Sequence, residues 1–280
     1  MRDELGDRMK SHYEDRTRIK LPRRTYTVIR IDGKAFHTFT KGLNQPFDDG
    51  LMEDMNATAE YLCKNIQGAK LGFVQSDEIS VLMTDFDNLQ TDAWFDGNIQ
   101  KIVSVAASMA TSKFNHLRLK RLFDRYNDDK VTVELSCNFV IRQIVDTKLA
   151  EFDARVFTIP SLTEVCNYFI WRQQDTVRNS ISSVAQSLYS SKELHGKNMS
   201  EQQEMIFQKG INWNDYDPML KRGRFICKEE HEVVSDIDLP ENMPPVNSFE
   251  TVMRTRWVSK ECPTFTQDRE FLNSYIPDLP

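Results

Sequence analysis

The chain has 280 residues, of which 40% are hydrophobic and 28% are charged. This composition supports a folded core in one large domain or two small ones, and it excludes disorder of the whole chain. The formal net charge of −6 gives no global attraction to polyanions, so any nucleic-acid contact must come from local basic patches. No apolar run reaches the roughly 18 residues that a membrane helix requires. We therefore expect a soluble, cytoplasmic protein, with an organellar location left open.

The hydrophobic pattern predicts alternating strands and helices in the first 160 residues. Four β-branched or apolar runs predict strands, over 25–31, 71–74, 79–83 and 155–159. Apolar residues at helical spacing predict two helices, over 50–65 and 98–114. The resulting order, β-α-β-β-α-β, is that of the split βαβ, ferredoxin-like fold of the α+β class. In this fold an antiparallel sheet carries both helices on one face.

After residue 160 the pattern becomes helical. Ser161, followed by Glu164 at the capping-box position, predicts the start of a long helix. A shorter helix is predicted over 201–209. The last stretch, 237–280, is rich in proline and polar residues, and we expect it to wrap the surface as short strands and loops.

Three carboxylates are expected to converge in this topology. The end of the first strand lies beside the turn between the second and third strands, so Asp32 would meet Asp77 and Glu78 at one edge of the sheet. Each motif alone is typical of an ordinary surface turn. Together, such carboxylates repel each other unless a divalent cation neutralises them, and their oxygen atoms suit Mg²⁺. The convergence therefore favours a catalytic metal site.

The segment GKAFH, at 33–37, follows Asp32 directly. Its glycine allows close backbone approach, and Lys34 and His37 add charge, so successive backbone N–H groups can face a triphosphate. The segment is not a Walker loop, because the chain has no GxxxxGK[ST] motif. Carboxylate-bound metal ions beside a phosphate-binding turn are the arrangement of two-metal nucleotidyl transfer, in which one ion activates a hydroxyl and the other holds pyrophosphate.

Two segments, 7–24 and 113–125, are locally basic in this acidic chain. Aromatic residues interleave both, as stacking on RNA requires. Four basic residues are candidate RNA contacts: Arg23, Arg24, Lys120 and Arg121. The alternative is that both segments are solvated helix faces, which is the usual role of charge runs.

Six segments, in this order, resemble the tRNA-His guanylyltransferase superfamily: RIDGKAFHTF (30–39), GFVQSDEISVLM (72–83), SKF (112–114), FDARVFTIP (152–160), YFIWRQQDTVRNSI (168–181) and KGINWNDYDPMLKRG (209–223). These enzymes add nucleotides in the 3′-to-5′ direction at a tRNA 5′ end on a polymerase-like palm. The resemblance covers residues 1 to about 230. It implies a palm-like catalytic core with a basic N-terminal segment over 1–160, and a helical and irregular extension over 161–280, packed as one continuous unit.

The resemblance also implies roles for individual residues. Asp32 and Asp77 would bind two Mg²⁺ ions, with the Gly33 carbonyl as a further ligand. The nucleotide-binding residues would be Asp32, Gly33, Lys34, Ala35, Phe36, His37, Ser76 and Asp77. Positions near that site match less specifically at Asp48, Glu78, Lys101 and Arg155. Arg155, Arg178 and Asn179 are added to the candidate RNA contacts. ATP, GTP or another nucleoside triphosphate would be the substrate, tRNA the partner and a homotetramer the assembly.

Two departures concern the branch of the superfamily. Enzymes that guanylylate tRNA-His carry a His-Ile-Asn-Asn motif where this chain has Val177, Arg178, Asn179 and Ser180, and they carry a lysine where it has Gln45. The RNSI form is similar to the guanylyltransferase-like branch, which repairs 5′-truncated tRNA by templated addition. We therefore expect a Mg²⁺-dependent 3′-5′ nucleotidyltransferase that repairs tRNA, with single-G addition to tRNA-His as the alternative. A palm-type nucleotide cyclase and a non-catalytic RNA-binding module are more distant alternatives.

Overall fold

The computed structural model describes residues 3–128, 148–234 and 251–279. The strands are β1 (Tyr26–Gly33), β2 (Ala69–Gln75), β3 (Glu78–Met83), β4 (Phe152–Ile159), β5 (Arg224–Val234) and β6 (Thr251–Lys260). They form a six-stranded antiparallel sheet in the order β4-β1-β3-β2-β5-β6.

The α-helices of the described ranges are α1 (Glu4–Met9), α2 (Phe36–Phe39), α3 (Asp49–Asn65), α4 (Ile99–Asp128), α5 (Leu162–Leu188), α6 (Ser191–Leu194), α7 (Met199–Gln208), α8 (Pro218–Arg222) and α9 (Arg269–Asn273). A π-helical turn spans Lys10–Glu14, and 3-10 turns span Asp15–Thr17, Trp94–Gly97 and Trp213–Asp215. None of the helices described has the length and apolar character needed to cross a membrane.

The order β1-α3-β2-β3-α4-β4 confirms the split βαβ, ferredoxin-like fold predicted from the pattern. Buried residues of one sheet face, among them Ile29 and Val81, pack in a single cluster with α3 and α4. Residues of the opposite face, among them Val28 and Leu82, pack with Phe169 of α5. Successive strand residues alternate between faces, so the sheet is a middle layer between the paired helices and the long helix.

The sheet continues beyond residue 160. The edge of β2 pairs with β5, and β5 pairs with β6 over ten residue pairs, so the C-terminal part adds two long strands. The expectation that 237–280 wraps the surface is therefore wrong. Phe265 and Leu272 are fully buried in the core beside α5, because this aromatic-rich segment covers apolar surface of the sheet. The stretch 235–250 lies outside the described residues.

Side-chain caps fix the beginnings of the two helices that border the site. The Ser161 hydroxyl accepts a hydrogen bond from the Glu164 N–H at 3.3 Å, so the predicted start of α5 is confirmed. The Asp48 carboxylate accepts one from the Leu51 N–H at 2.8 Å and begins α3. Both caps satisfy N–H groups that a helix leaves unpaired at its first turn. They fix the residue at which each helix begins.

Candidate active site

The end of β1 and the turn between β2 and β3 meet at one edge of the sheet. Asp32 is the register partner of Glu78, the first residue of β3. The Gly33 N–H donates to the Asp77 carbonyl at 3.2 Å, which ties the hairpin turn to the end of β1. The topology thus brings Asp32 and Asp77 together although 45 positions separate them in the sequence.

The electrostatics of this carboxylate pair are unfavourable in the protein alone. Burial, together with the neighbouring charge of Asp32, raises the pKa of Asp77 to about 6, although a backbone hydrogen bond and one from the Ser76 side chain act in the opposite direction. Arg155 Nη2 lies 3.8 Å from Asp32 Oδ2, which is beyond hydrogen-bond distance. The pair is therefore a place where a divalent cation would relieve both desolvation and repulsion.

The donor set fits a hard cation that arrives with its substrate. Mg²⁺ is commonly held by one or two carboxylates, with phosphate and water oxygens as the other ligands. Asp32 and Asp77 supply the two carboxylates. Within the residues the structure describes, no group of three His, Cys, Asp or Glu side chains could hold a metal ion unaided. A triphosphate would have to complete the coordination, and the role of the Gly33 carbonyl stays a prediction.

Glu78 is not part of this pair. Its Oε1 accepts from Arg172 Nε and its Oε2 from Arg172 Nη2, both at 2.8 Å. Gln75 Nε2 adds a third hydrogen bond at 3.0 Å, and Glu78 is only 8% exposed. A carboxylate whose lone pairs are already used by a bidentate guanidinium has little left for a metal. This geometry favours a positioning role for Glu78 behind the hairpin, and its predicted catalytic role stays a prediction.

Arg172 extends this network towards the surface. Its Nη2 also contacts Asp175 Oδ2 at 3.0 Å, and Arg178 Nη2 contacts the other oxygen of Asp175 at 2.9 Å. Arg178, a candidate RNA contact, is thus held by a carboxylate on its own helix, while about half of its side chain stays exposed. The network joins the hairpin to α5 through charged groups.

Two residues at the site have a left-handed backbone conformation. Ala35 has φ 53°, and Ser76 has φ 44°. Such values are uncommon for residues other than glycine, Asn and Asp, and they cost free energy that the surroundings must offset. Both residues belong to the predicted nucleotide site, and residues with this kind of strain cluster at functional sites.

The first part of the 33–37 segment is fixed by packing. A Cβ atom on Gly33 would lie 2.2 Å from the Phe36 ring, so only glycine fits there. The Phe36 ring is buried against Phe114 and other aromatic rings, so its side chain belongs to the core and only its backbone can face a nucleotide. The Lys34 amino group is exposed and donates to Glu151 at 2.5 Å.

A cavity of about 320 Å³ opens beside the hairpin turn. Its volume lies within the range of small-ligand pockets. Four of the predicted site residues line it: His37, Asp48, Ser76 and Asn179. The opposite wall is formed by polar residues of α5 at helical spacing: Thr176, Ser180 and Ser183. Our sequence reasoning missed this wall, although polar residues at i, i+4 and i+7 in a largely apolar helix are a signal that could have revealed it.

Lys101 lies far from this cavity. Lys101 is in the first turn of α4, and its amino group lies 4.8 Å from the centre of the Phe95 ring. The part of α4 near the site is marked by Phe114, which packs on Phe36. Thirteen residues of helix separate the two positions, about 20 Å along the axis. The expectation that Lys101 binds the nucleotide in this site is therefore wrong for a single chain.

The N-terminal arginines also lie away from the carboxylate pair, before β1 begins. Arg23 Nε donates to Asp85 at 2.7 Å, and its other nitrogens contact Asp92 and Asp96. The Arg24 backbone N–H donates to the second Asp85 oxygen at 2.8 Å. These contacts hold the segment before β1 in place, and the predicted RNA role of Arg23 and Arg24 stays a prediction.

The two candidate RNA contacts on α4 differ in their surroundings. Arg121 binds Asp54 and Glu53 of α3, each at 2.8 Å. Lys120 is exposed and has no ion pair within the described ranges. The Arg125 side chain lies outside the described residues. Of the two residues, Lys120 is the one free to contact a phosphate.

The comparisons with known proteins all indicate the same family. The model of the family described as tRNAHis guanylyltransferase matches residues 6–160. A bacterial tRNA(His) guanylyltransferase-like protein, solved in complex with ATP, is 41% identical with a TM-score of 0.76, covering 98% of this chain and 99% of that one. Another such bacterial structure, in complex with GTP, is 40% identical with a TM-score of 0.70 and the same coverage. The tRNA(His) guanylyltransferase of Saccharomyces cerevisiae is 28% identical over 232 residues, which are 76% of this chain and 88% of that protein.

Proposed function

Since the chain belongs to the tRNAHis guanylyltransferase family and is a nucleotidyltransferase that acts on tRNA, we propose that it extends tRNA 5′ ends in the 3′-to-5′ direction. The observation that supports this most strongly is the convergence of Asp32 and Asp77 beside a nucleotide-sized cavity. Neither the cyclase nor the non-catalytic binding module is favoured by any relative reported above.

In the proposed reaction the 3′-hydroxyl of an incoming nucleoside triphosphate attacks the activated 5′ phosphorus of the tRNA. The bond from that phosphorus to its leaving group breaks, so pyrophosphate leaves from a 5′-triphosphate, or AMP from an adenylylated 5′-monophosphate. Mg²⁺, held by Asp32 and Asp77, would neutralise the phosphate charge and favour deprotonation of the attacking hydroxyl. The remaining contribution of the protein is to position the reacting ends.

The 33–37 segment would bind the triphosphate, and the cavity would bind the base. This segment follows Asp32 at the end of β1 and turns at the left-handed Ala35 before α2, and successive backbone N–H groups in such a turn would bind phosphate oxygens. Lys34 can exchange Glu151 for a phosphate at low cost, because both groups of this ion pair are exposed to solvent, which screens their attraction. The ATP and GTP complexes of the bacterial neighbours support a purine nucleotide as the ligand.

Two branches of the activity remain, and each has its own support. The Val177 and Arg178 pair, in place of a histidine-containing motif, favours templated repair of 5′-truncated tRNA. The name of the Saccharomyces cerevisiae relative favours addition of a single G to tRNA-His. We propose repair as the main activity and a homotetramer in the cytoplasm as its setting.

The test offers two RNAs to the protein with labelled nucleoside triphosphates: an intact tRNA-His and a tRNA that lacks its first nucleotide. Repair predicts faster extension of the truncated tRNA, with the added nucleotide changing when the base across the acceptor stem is changed. Faster addition of G to intact tRNA-His, whatever base lies opposite, assigns the chain to the guanylylating branch. No extension of either RNA would overturn the proposed function.

A further inference from the structure

A large aromatic side chain is exposed close to the carboxylate pair. Trp171 of α5 is 45% exposed, although its neighbours Phe169 and Ile170 are buried. The guanidinium carbon of Arg30 lies 5.9 Å from the centre of the Trp171 ring. Arg30 precedes Asp32 by two residues on β1, so both side chains are on one face of the strand and their Cα atoms are about 7 Å apart. The exposed ring and the predicted metal site are therefore neighbours.

Only one face of the Trp171 ring is covered by cations. The guanidinium carbon of Arg172 lies 4.3 Å from the ring centre, closer than that of Arg30. Both arginines also approach Glu78 Oε2, Arg172 with Nη2 at 2.8 Å and Arg30 with Nε at 3.9 Å. Since the same oxygen atom is near both guanidiniums, they lie on one face of the ring. Tyr168 meets the ring edge-on, at an interplanar angle of 69°. The other face is therefore open for stacking.

Two arginines beside this tryptophan are poorly neutralised. Arg30 and Arg155 are register partners on β1 and β4, so two like charges lie directly opposite each other. The Arg30 Nε is buried and has no hydrogen-bond partner within the described ranges. Arg155 is about half exposed, and its Nη2 lies 3.5 Å from Asp153 and 3.8 Å from Asp32. An anion between the two arginines would relieve their repulsion, and phosphate matches the geometry of a guanidinium.

The same side of α5 supplies a further cation and borders the cavity. Trp171, Asp175 and Arg178 are four and three positions apart, so they form one stripe along the helix. About half of the Arg178 side chain is exposed. Thr176 and Asn179, which line the cavity, follow this stripe around the helix. A polynucleotide bound along the stripe would therefore lie next to the cavity without occupying it.

We propose that the open face of Trp171 stacks on an unpaired nucleotide in the single-stranded 3′ tail of the tRNA, while Arg30 and Arg155 bind phosphates of that tail. An exposed aromatic ring beside basic side chains is typical of single-stranded nucleic acid binding, and it tolerates any sequence because every base has a π-face. The inference rests on the proposed function, in which the tRNA 5′ end reacts at Asp32 and Asp77.

The chemistry of that reaction favours the tail over the 5′-terminal nucleotide as the occupant. In templated addition the 5′-terminal base is paired, and the incoming nucleotide stacks on its open face, so that face is not free for a protein ring. The 3′ strand of the acceptor stem continues beyond the 5′ end without a partner strand, so the tail leaves the duplex beside the reacting phosphate. Stacking on Trp171 holds the tail out of the cavity and fixes the position of the stem end.

The test compares two forms of a tRNA that lacks its first nucleotide. One has its natural 3′ tail, and the other has abasic sites in place of the tail bases. Both contain the same phosphates, so the difference in their dissociation constants reports base contacts alone. We expect the abasic tail to weaken binding to the unmodified protein by about 5- to 150-fold, the range for stacking of one base. Trp171→Ala should bind both RNAs with the weaker affinity, whereas Trp171→Phe should keep most of the difference.

A spectroscopic measurement separates stacking from an indirect structural effect. With 2-aminopurine in the tail, binding to the unmodified protein should quench its fluorescence, because a stacked base emits less than a free one. Trp171→Ala at saturating concentration should leave the fluorescence unquenched. Phe207→Ala is the matched control, because it removes another exposed aromatic ring, on α7, and none of the described residues that line the cavity belongs to that helix. It should keep both the quenching and the difference in affinity.

The comparison of RNAs on the unmodified protein needs no variant, so it decides the question even if Trp171→Ala fails to fold. Equal affinities for the two RNAs would overturn the inference, as would a difference that survives in Trp171→Ala. Equal affinities together with altered sedimentation of Trp171→Ala would assign the ring to a contact between copies of the chain. Each of these results, with 5′ extension intact, leaves the proposed function standing. A tail effect without any 5′ extension overturns the proposed function alone.

Discussion

Two consecutive carboxylates at the hairpin of β2 and β3 have opposite surroundings. Asp77, in the turn, is half-buried near the like charge of Asp32. Glu78, at the start of β3, is buried and held by both arms of Arg172. Burial raises the pKa of both groups, but only Glu78 is compensated by a close cation. The free carboxylate is therefore the one available to a metal, and the paired one holds the hairpin against α5.

In this fold, the group available for chemistry and the group that supports the structure are therefore different residues. A free charge in a partly desolvated site costs stability and is kept where a ligand will neutralise it. A paired charge adds no chemistry, but removing its partner leaves an uncompensated buried ion. Substitution of Asp77 should thus change mainly the rate of nucleotide addition, whereas substitution of the partner of Glu78 should change mainly the stability of the fold.

The largest effect should come from substitution of Asp77, the carboxylate without a close cation. Asp77→Asn keeps the shape of the side chain and removes the charge that would bind Mg²⁺. We expect nucleotide addition to slow by about 10³-fold or more, because stabilisation of the transferring phosphate is lost. Single-turnover extension of a labelled tRNA measures this rate.

The same variant should not lose stability. The raised pKa of Asp77 means that its ionised form is disfavoured in the folded state, so stability falls as the pH rises from the unfolded-state pKa of 3.8 to the folded-state pKa of about 6, and the full cost remains at pH 7. A neutral amide removes that cost, and the midpoint of thermal unfolding at pH 7 should be unchanged or higher. A substantial fall in the midpoint, with activity retained, would show that Asp77 has a structural role and does not bind the metal.

The next largest effect should come from substitutions in the ion pair of Glu78 and Arg172. Arg172→Met leaves Glu78 charged and buried, and we expect it to lower the free energy of unfolding by about 3–5 kcal/mol. Adding Glu78→Gln to that variant should restore part of the loss, because an amide does not require a cation. Urea denaturation of the single and double variants measures both values.

A cost of Arg172→Met below about 1 kcal/mol would contradict the buried ion pair. Glu78→Gln alone serves as the control for Asp77→Asn: it should reduce the rate of nucleotide addition far less, since Glu78 only positions the turn. Equal losses of rate in the two hairpin variants would return Glu78 to the catalytic set.

The sequence predicted the carboxylate pair well because it depends on strand order. Once the β-α-β-β-α-β pattern is recognised, the meeting of Asp32 with Asp77 follows from topology alone. The partner of Glu78 could not be predicted in this way, because Arg172 reaches it from α5 across the sheet and 94 positions separate them. The prediction that Lys101 binds the nucleotide was wrong for a related reason, because a local motif match does not show at which end of a helix a residue lies.

The added strands were missed because their pairing is non-local. The run 224–234 contains Lys228, Glu229, Glu230, His231 and Glu232, a charged stretch that obscures the alternation expected of a strand. Its pairing with β2 and β6 stabilises it in the folded protein. The sequence therefore did not predict that Arg224, at the start of this strand, lines the cavity.

The smallest effect concerns the same contrast of free and paired charges on α4. Lys120 is exposed and unpaired within the described ranges, whereas Arg121 binds Asp54, which is 1% exposed. If the face of α4 contacts tRNA, Lys120→Ala should flatten the dependence of log affinity on log salt by about 0.9, the contribution of one phosphate contact. Its stability should not change, because no buried group loses a partner.

Arg121→Ala should do the reverse. We expect the salt slope to stay constant, because the Arg121 guanidinium is already neutralised by Asp54 and Glu53. The free energy of unfolding should fall by about 1.5–3 kcal/mol, since a charged hydrogen-bond partner of buried Asp54 is removed. Arg118, 3.3 Å from the same carboxylate, limits the loss by staying in place. Filter binding of tRNA at several salt concentrations, with urea denaturation beside it, separates the two outcomes. A flatter slope in Arg121→Ala with unchanged stability would mean that RNA displaces the acidic partners, and that pairing in the free protein does not decide which cations bind phosphate.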